Sequence, residues 1–365
     1  MEKIRLAACA AAAIALSGAA LADTTIVLGG AMPARGPDSR ALVSFADRVA
    51  ADSAGSVTFE MSFDGQVVDF RSTLGAVGDE LVDAAQLYPA FYRSDLKVMN
   101  TFVDLGLYAT ESWAHTAAVA ETILLGCPSC DAEFERYDIK PLVLSGSASF
   151  MMICRNEVTA LEDLRGKSIR SVSRNQALVT ELGANPVTTV PSEVFEAMQR
   201  GQVECVCSPL DWIPAYGLAE VTGFVIDTPL THDSSRMPLV MNTSIWNDLS
   251  DSDRQAIIKN LPFLSAEATA NNIAEGEEGR RVAEEAGARF GDGGPDYVKA
   301  VEAFRKGELD AVLASAKERG VDGAEEIIET YRLNHEKWIG ILAEIGDDRA
   351  KYEDALWTEI YSKFE

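Results

Sequence analysis

The chain has 365 residues and a net charge of −25, with 32 basic and 57 acidic side chains. So acidic a surface repels nucleic acid and anionic membrane, which need clustered Lys or Arg to release counterions, and nucleic acid is excluded as a partner. The length allows two cores of ordinary size, and past the N-terminus no segment reaches the roughly 18 apolar residues of a membrane span. At the N-terminus itself, Lys3 and Arg5 precede an apolar, Ala-rich run from Leu6 to Leu16, and Ala20-Leu21-Ala22 supplies a small-x-small cleavage pattern. Residues 1–22 therefore read as an export signal, and a soluble mature chain is expected to begin near Asp23, outside the cytoplasm.

Thr24 to Leu28 reads as a strand, followed by a Gly/Pro-rich loop from Gly29 to Pro37. Asp38-Ser39 can cap a helix running to about Ala54, with Leu42, Phe45, Val49 and Ala50 on one face. Val57 to Phe63 alternates as a strand, Asp64-Gly65 turns, and a helix, a buried strand over Val82 to Leu87 and a further helix from about Ser112 follow. This alternation of strand and helix implies a mostly parallel sheet covered by helices. The pattern then restarts. Strands are expected at Lys140 to Leu144, Ala148 to Cys154, Ser168 to Val172, Val187 to Val190 and Val203 to Cys207, with helices between. Two α/β blocks in series predict two lobes, and from about Ser265 the Ala/Glu/Lys/Arg composition predicts helix to Glu365.

Five cysteines lie beyond the signal: Cys127, Cys130, Cys154, Cys205 and Cys207. Cys127 and Cys130 fit a small disulfide, free thiols or a redox dithiol. The pair follows an apolar helical stretch rather than a strand, which argues against the redox motif. Cys205 and Cys207 share a strand face, but His115, His232 and His335 lie in unrelated contexts, so no zinc site is expected. There is no Gly-x-Ser-x-Gly, His-Glu-x-x-His or Gly-x-Gly-x-x-Gly, and three histidines leave little general-base chemistry, so an enzyme is not expected and no cofactor is implied. Adjacent acids such as Glu284-Glu285 read as solvated.

Several segments in the second block occur in a telling order. Leu161-Glu162-Asp163-Leu164-Arg165-Gly166-Lys167-Ser168-Ile169-Arg170 is followed by Leu182-Gly183-Ala184-Asn185-Pro186-Val187, Pro191 to Gly201, Val203-Glu204, Leu239 to Asn242 and Ile245 to Leu249. This order resembles the solute-binding proteins of tripartite ATP-independent periplasmic (TRAP) transporters, the DctP-like proteins, over essentially the whole mature chain. The resemblance implies a periplasmic binding protein fold, with two α/β lobes, hinge strands, a ligand cleft between them and long C-terminal helices. It implies lobe I at residues 23–147 with a return at about 237–270, lobe II at 148–236, and a helical brace over 271–365. A monomer in the periplasm, delivering a small organic acid to membrane permease subunits, is the implied function.

The resemblance makes Arg170 the carboxylate-binding residue. It ends a short strand, and its planar guanidinium can grip both oxygens of a carboxylate. The position at which the family often has an asparagine before proline is Ser208, and a second arginine of some family members is replaced by Phe150. Ligands with two carboxylates are thereby disfavoured. Tyr88, Trp212 and Arg35 complete the candidate set, giving a small monocarboxylate with an apolar or aromatic portion. Two other readings stay open. In one, Phe150, Tyr88 and Trp212 hold an amine by cation–π contacts, with Glu204 or Asp211 as counter-charge. In the other, the chain is an extracytoplasmic redox or sensor protein.

Overall fold

The computed structural model describes residues 24–109 and 111–364; the proposed export signal lies outside them. Strands β1 (Thr24–Gly29), β2 (Val57–Ser62) and β3 (Ala84–Leu87) pair in parallel around β1, with α1 (Pro37–Asp52) and α2 (Thr73–Gly78) as crossovers. Three helices follow, α3 (Met99–Asp104), α4 (Ser112–Leu125) and α5 (Pro128–Glu135), and then β4 (Ile139–Ser145). The chain leaves for a second sheet built from β5 (Phe150–Cys154), β6 (Ser168–Arg170), β7 (Asn185–Val187), β8 (Cys205–Pro209) and β9 (Phe224–Ile226). Its connecting helices are α6 (Asn175–Glu181), α7 (Val194–Gln199) and α8 (Trp212–Ala215). Strand β10 (Arg236–Asn242) then returns to the first sheet and inserts, antiparallel, between β3 and β4. The sheet orders are β2-β1-β3-β10-β4 and β11-β9-β5-β8-β6-β7, where β11 is Arg289–Gly291.

The C-terminal part begins with α9 (Thr243–Asp248) and the 35-residue α10 (Asp251–Glu285). After β11 come α11 (Pro295–Lys306), α12 (Glu308–Glu318), α13 (Ala324–Ile345) and α14 (Arg349–Glu359). Helix α10 packs on α1 and β4 of the first lobe and on α8 of the second, so it braces both. The expectation of unbroken helix after Ser265 misses β11. Three residues flanked by Gly287 and Gly293 are too few for a strand period, and pairing with β9 decides their state.

Two disulfides form among the described residues. Cys127–Cys130 opens α5, where the Cys127 sulfur accepts a hydrogen bond from the Cys130 backbone at 3.1 Å. The pair starts a helix, and helix α4 rather than a strand precedes it, as the sequence reading has it. Both sulfurs are buried, which marks a structural bond. Cys154–Cys205 joins directly opposed residues of β5 and β8, a pairing that spacing alone did not reveal, and Cys207 stays a buried thiol.

Candidate ligand-binding cleft

The first lobe presents an aromatic wall. Strand β3 is buried along its length and leads directly into Tyr88, after which Pro89 halts the ladder. Phe70, just before α2, lies 5.6 Å from the Tyr88 ring and 5.1 Å from Phe91, in edge-on and tilted arrangements. Met32 joins this cluster, and Val190 of the second lobe packs against it.

The second lobe presents a cation. Arg170, the last residue of β6, is 1% exposed. Its Nε and Nη2 donate to the Thr189 carbonyl at 3.0 and 2.9 Å, and Nη1 reaches the Cys207 carbonyl at 3.4 Å. Its guanidinium stacks over Trp212, 4.8 Å from the ring centroid. Among the described residues no carboxylate lies within ion-pair distance of it. Burial of this uncompensated charge pulls its pKa down to about 10. The hydroxyls of Thr189 and Ser208, beside the two carbonyls that hold Arg170, are buried without protein partners.

A second arginine faces the same space with its charge already answered. Arg236, the first residue of β10, donates to Asp38 at 2.6 Å and to Asn272 at 2.5 Å. Burial works against its charge, but Asp38, Tyr88, Asp233 and Asp211 outweigh it and hold its pKa above the ordinary value. Asp38 also accepts from the Tyr88 hydroxyl at 3.0 Å and from Asn272 at 2.7 Å. This corrects the reading of Asp38 as a helix cap. Pro37 occupies the first helical position of α1, Gly36 is the cap, and the Asp38 side chain turns inward to Arg236.

Between the lobes lies a cavity of about 50 Å³, bounded by Met32, Phe70, Tyr88 and Phe91 on one side and Phe150, Arg170, Pro191 and Trp212 on the other. Asp233 and Arg236, from the segment that crosses back to the first lobe, close its base. Of the residues expected from sequence, Arg170, Tyr88, Phe150 and Trp212 meet here. Ser208 does not line the cavity; its neighbour Pro209 does. Arg35 lies outside the lining and spans the lobes instead, donating to the Pro214 and Ala215 carbonyls at 3.4 and 3.2 Å. Glu204 is turned away to Asn156 and Arg155. Sequence reasoning missed Arg236, Asp233, Phe70 and Phe91. Only Arg236 left a trace, as a lone cation opening a buried strand. The histidines are closer than expected, with the rings of His115 and His335 6.5 Å apart, yet no metal-binding group of three His, Cys, Asp or Glu exists among the described residues.

A two-sheet scaffold with a charged, aromatic cleft at its crossover invites comparison with known proteins. The sequence profile of the bacterial extracellular solute-binding protein family 7, DctP, matches residues 28–306. The chain belongs to this family. A solute-binding protein of Roseobacter denitrificans is 28% identical over 186 residues, 50% of this chain and 55% of the relative, so the match spans about half the length of that curated relative. A marine metagenome TRAP solute-binding protein specific for aromatic acids, solved with 3-hydroxybenzoate, superposes with a TM-score of 0.75 at 19% identity, covering 87% of this chain and 99% of that one. A Rhodoferax ferrireducens TRAP protein with copurified benzoate gives the same four values. A marine metagenome protein specific for pyroglutamate gives 0.73 at 19% identity, over 85% and 99%. At this identity the likeness establishes the two-lobed fold of the DctP proteins. No helix among the described residues is long and apolar enough to cross a membrane.

Proposed function

We propose that this DctP-family protein is the periplasmic receptor of a TRAP transporter, closing on a compact organic acid with one carboxylate and handing it, as a monomer, to the membrane permease subunits. One observation carries the choice of ligand: Arg170 is buried at the cavity with no carboxylate of its own. A lone buried cation costs several kcal/mol, and a bound carboxylate answers that charge with paired hydrogen bonds. Arg236 is a poorer anchor because Asp38 already neutralises it. The rings of Phe70, Tyr88, Phe91 and Phe150 supply the apolar walls typical of small-molecule sites. Relatives of the same fold solved with benzoate, 3-hydroxybenzoate and pyroglutamate carry ligands of this kind. An amine held on Trp212 is disfavoured, because the Arg170 guanidinium stacks on that ring.

The test is thermal unfolding of protein stripped of ligand by refolding, scanned against benzoate, 3-hydroxybenzoate, pyroglutamate and small amines. An acid at 100 times its Kd adds about 2.7 kcal/mol, which raises the midpoint by a few degrees in a chain of this size. Arg170→Ala, which removes the cavity cation that no described carboxylate pairs, is expected to abolish that rise. Equal shifts in wild type and variant, or shifts with amines alone, refute the proposal.

A further inference from the structure

Asp233 stands at the base of the cavity, on the segment that returns the chain from the second lobe to the first. Its backbone is fixed at the crossover. The Ser147 amide donates to its carbonyl at 2.8 Å, and its own amide donates to the Ser147 hydroxyl at 2.9 Å. Beside them, the two crossing segments exchange bonds between Phe150 and Thr231 and between Leu230 and Phe150, both at 2.8 Å. The carboxylate is thus held in one place. Its Oδ1 accepts from the Ser235 amide at 3.2 Å and from the Ser235 hydroxyl at 2.8 Å. Its Oδ2 accepts nothing from a described residue, and no cation lies within ion-pair distance of it. Burial pushes its pKa up, with Arg236 opposing, so this edge of the site is short of a donor.

The cavity thus has two poles of opposite sign: Arg170, lacking a counter-ion, and Asp233, whose Oδ2 lacks a donor. We propose that the ligand is bipolar, a compact acid whose carboxylate meets Arg170 and whose body carries an N–H or O–H donor that bonds to Asp233 Oδ2. The inference rests on the carboxylate reading of Arg170 and narrows it, making Asp233 the residue that separates donor-bearing acids from simple ones. A site built around an unsatisfied acceptor rejects the analogue that cannot fill it, because the analogue covers that oxygen without pairing it. The donor adds a charge-assisted hydrogen bond, and its loss is expected to weaken binding at least about tenfold.

The experiment is calorimetric titration of the ligand-stripped full protein with matched acids. Pyroglutamate is set against 5-oxotetrahydrofuran-2-carboxylate, in which ring oxygen replaces N–H, and 3-hydroxybenzoate against benzoate. In wild type the donor-bearing member of a bound pair should be favoured at least about tenfold, a comparison that requires no variant to fold. In Asp233→Asn the Ser235 donors keep the amide oxygen, the NH2 group takes the place of Oδ2, and the preference should vanish or invert. If a donor-free acid binds as tightly as its donor-bearing partner, or if Asp233→Asn leaves the preference intact, the bipolar ligand is refuted while the Arg170 reading stands. If no acid of either kind binds, or if binding survives Arg170→Ala, the carboxylate reading itself falls and takes this inference with it.

Discussion

Asp211, just before α8, is buried with its Oδ1 unpaired, near Arg236, Asp38 and Tyr216. Burial lifts its pKa to about 7, against a pull from Arg236 in the other direction. The folded chain therefore keeps this proton up to about pH 7, whereas an unfolded chain releases it near pH 4. Between those values the native state binds the extra proton, so this group makes stability fall as pH rises and then level off above about 7. Asp211→Asn should be more stable than wild type at pH 7.5, by at most about 4 kcal/mol, and the gap should close towards pH 4. Melting curves from pH 4 to 8 measure it, and a constant gap would contradict the assignment. Individual side chains were unevenly legible in the sequence. Arg170 stood at the end of a motif whose order fixed its place. Asp38 looked like a cap because Asp-Ser before an apolar helix reads the same whether the carboxylate faces its own backbone or a distant arginine. Asp233 gave no pattern at all, since an irregular crossing segment has neither period nor cap, and Arg236 showed only as a lone cation opening a buried strand.

Elements were more legible than side chains wherever a period was long enough to count. The strands at 57–62 and 139–145 and helix α4 fall within a few residues of their expected places, because alternation and helical spacing persist across them. Short pieces such as β11 take their state from a neighbour. A helical brace over 271–365 was implied by the resemblance, but the close approach of α10 to the second lobe was hidden, as it depends on two glycines. A Cβ on Gly279 would come within 2.0 Å of the Leu210 carbonyl, and one on Gly276 within 2.9 Å of the Ala148 Cβ. At Gly279 the helix and the second lobe touch backbone to backbone. Gly279→Ala forces them apart and should destabilise by roughly 1–3 kcal/mol, despite the better helix propensity of Ala. Thermal or urea unfolding reads this directly; a neutral or stabilising effect would mean that the helix does not brace the second lobe.

At the scale of the molecule, the two lobes meet through few direct bonds. Arg35 grips the last carbonyls of α8, where the helix leaves acceptors free, and Arg71 approaches Glu193 at 3.8 Å. Arg35 reads better as a latch than as a ligand contact. Arg35→Ala should shift the ligand-free protein towards an open form, seen as a larger radius of gyration in X-ray scattering. Ligand affinity should fall several-fold while the saturated form stays compact, because the energy of closing is then drawn from binding. An unchanged free form would remove the latch.

The placement of β10 reaches beyond the finished structure, into how it is made. The strand that fills the gap between β3 and β4 is the last of that sheet to be synthesised, after every strand from β5 to β9. Until residue 242 has left the ribosome, the N-terminal half lacks an internal strand of its own sheet and has no complete core to collapse around. Closing so long a loop before any reward from packing is slow. For the periplasmic receptor proposed above, that delay would be an asset: a nascent polypeptide without its last internal strand stays loose enough to be threaded through a narrow pore before it commits to its shape.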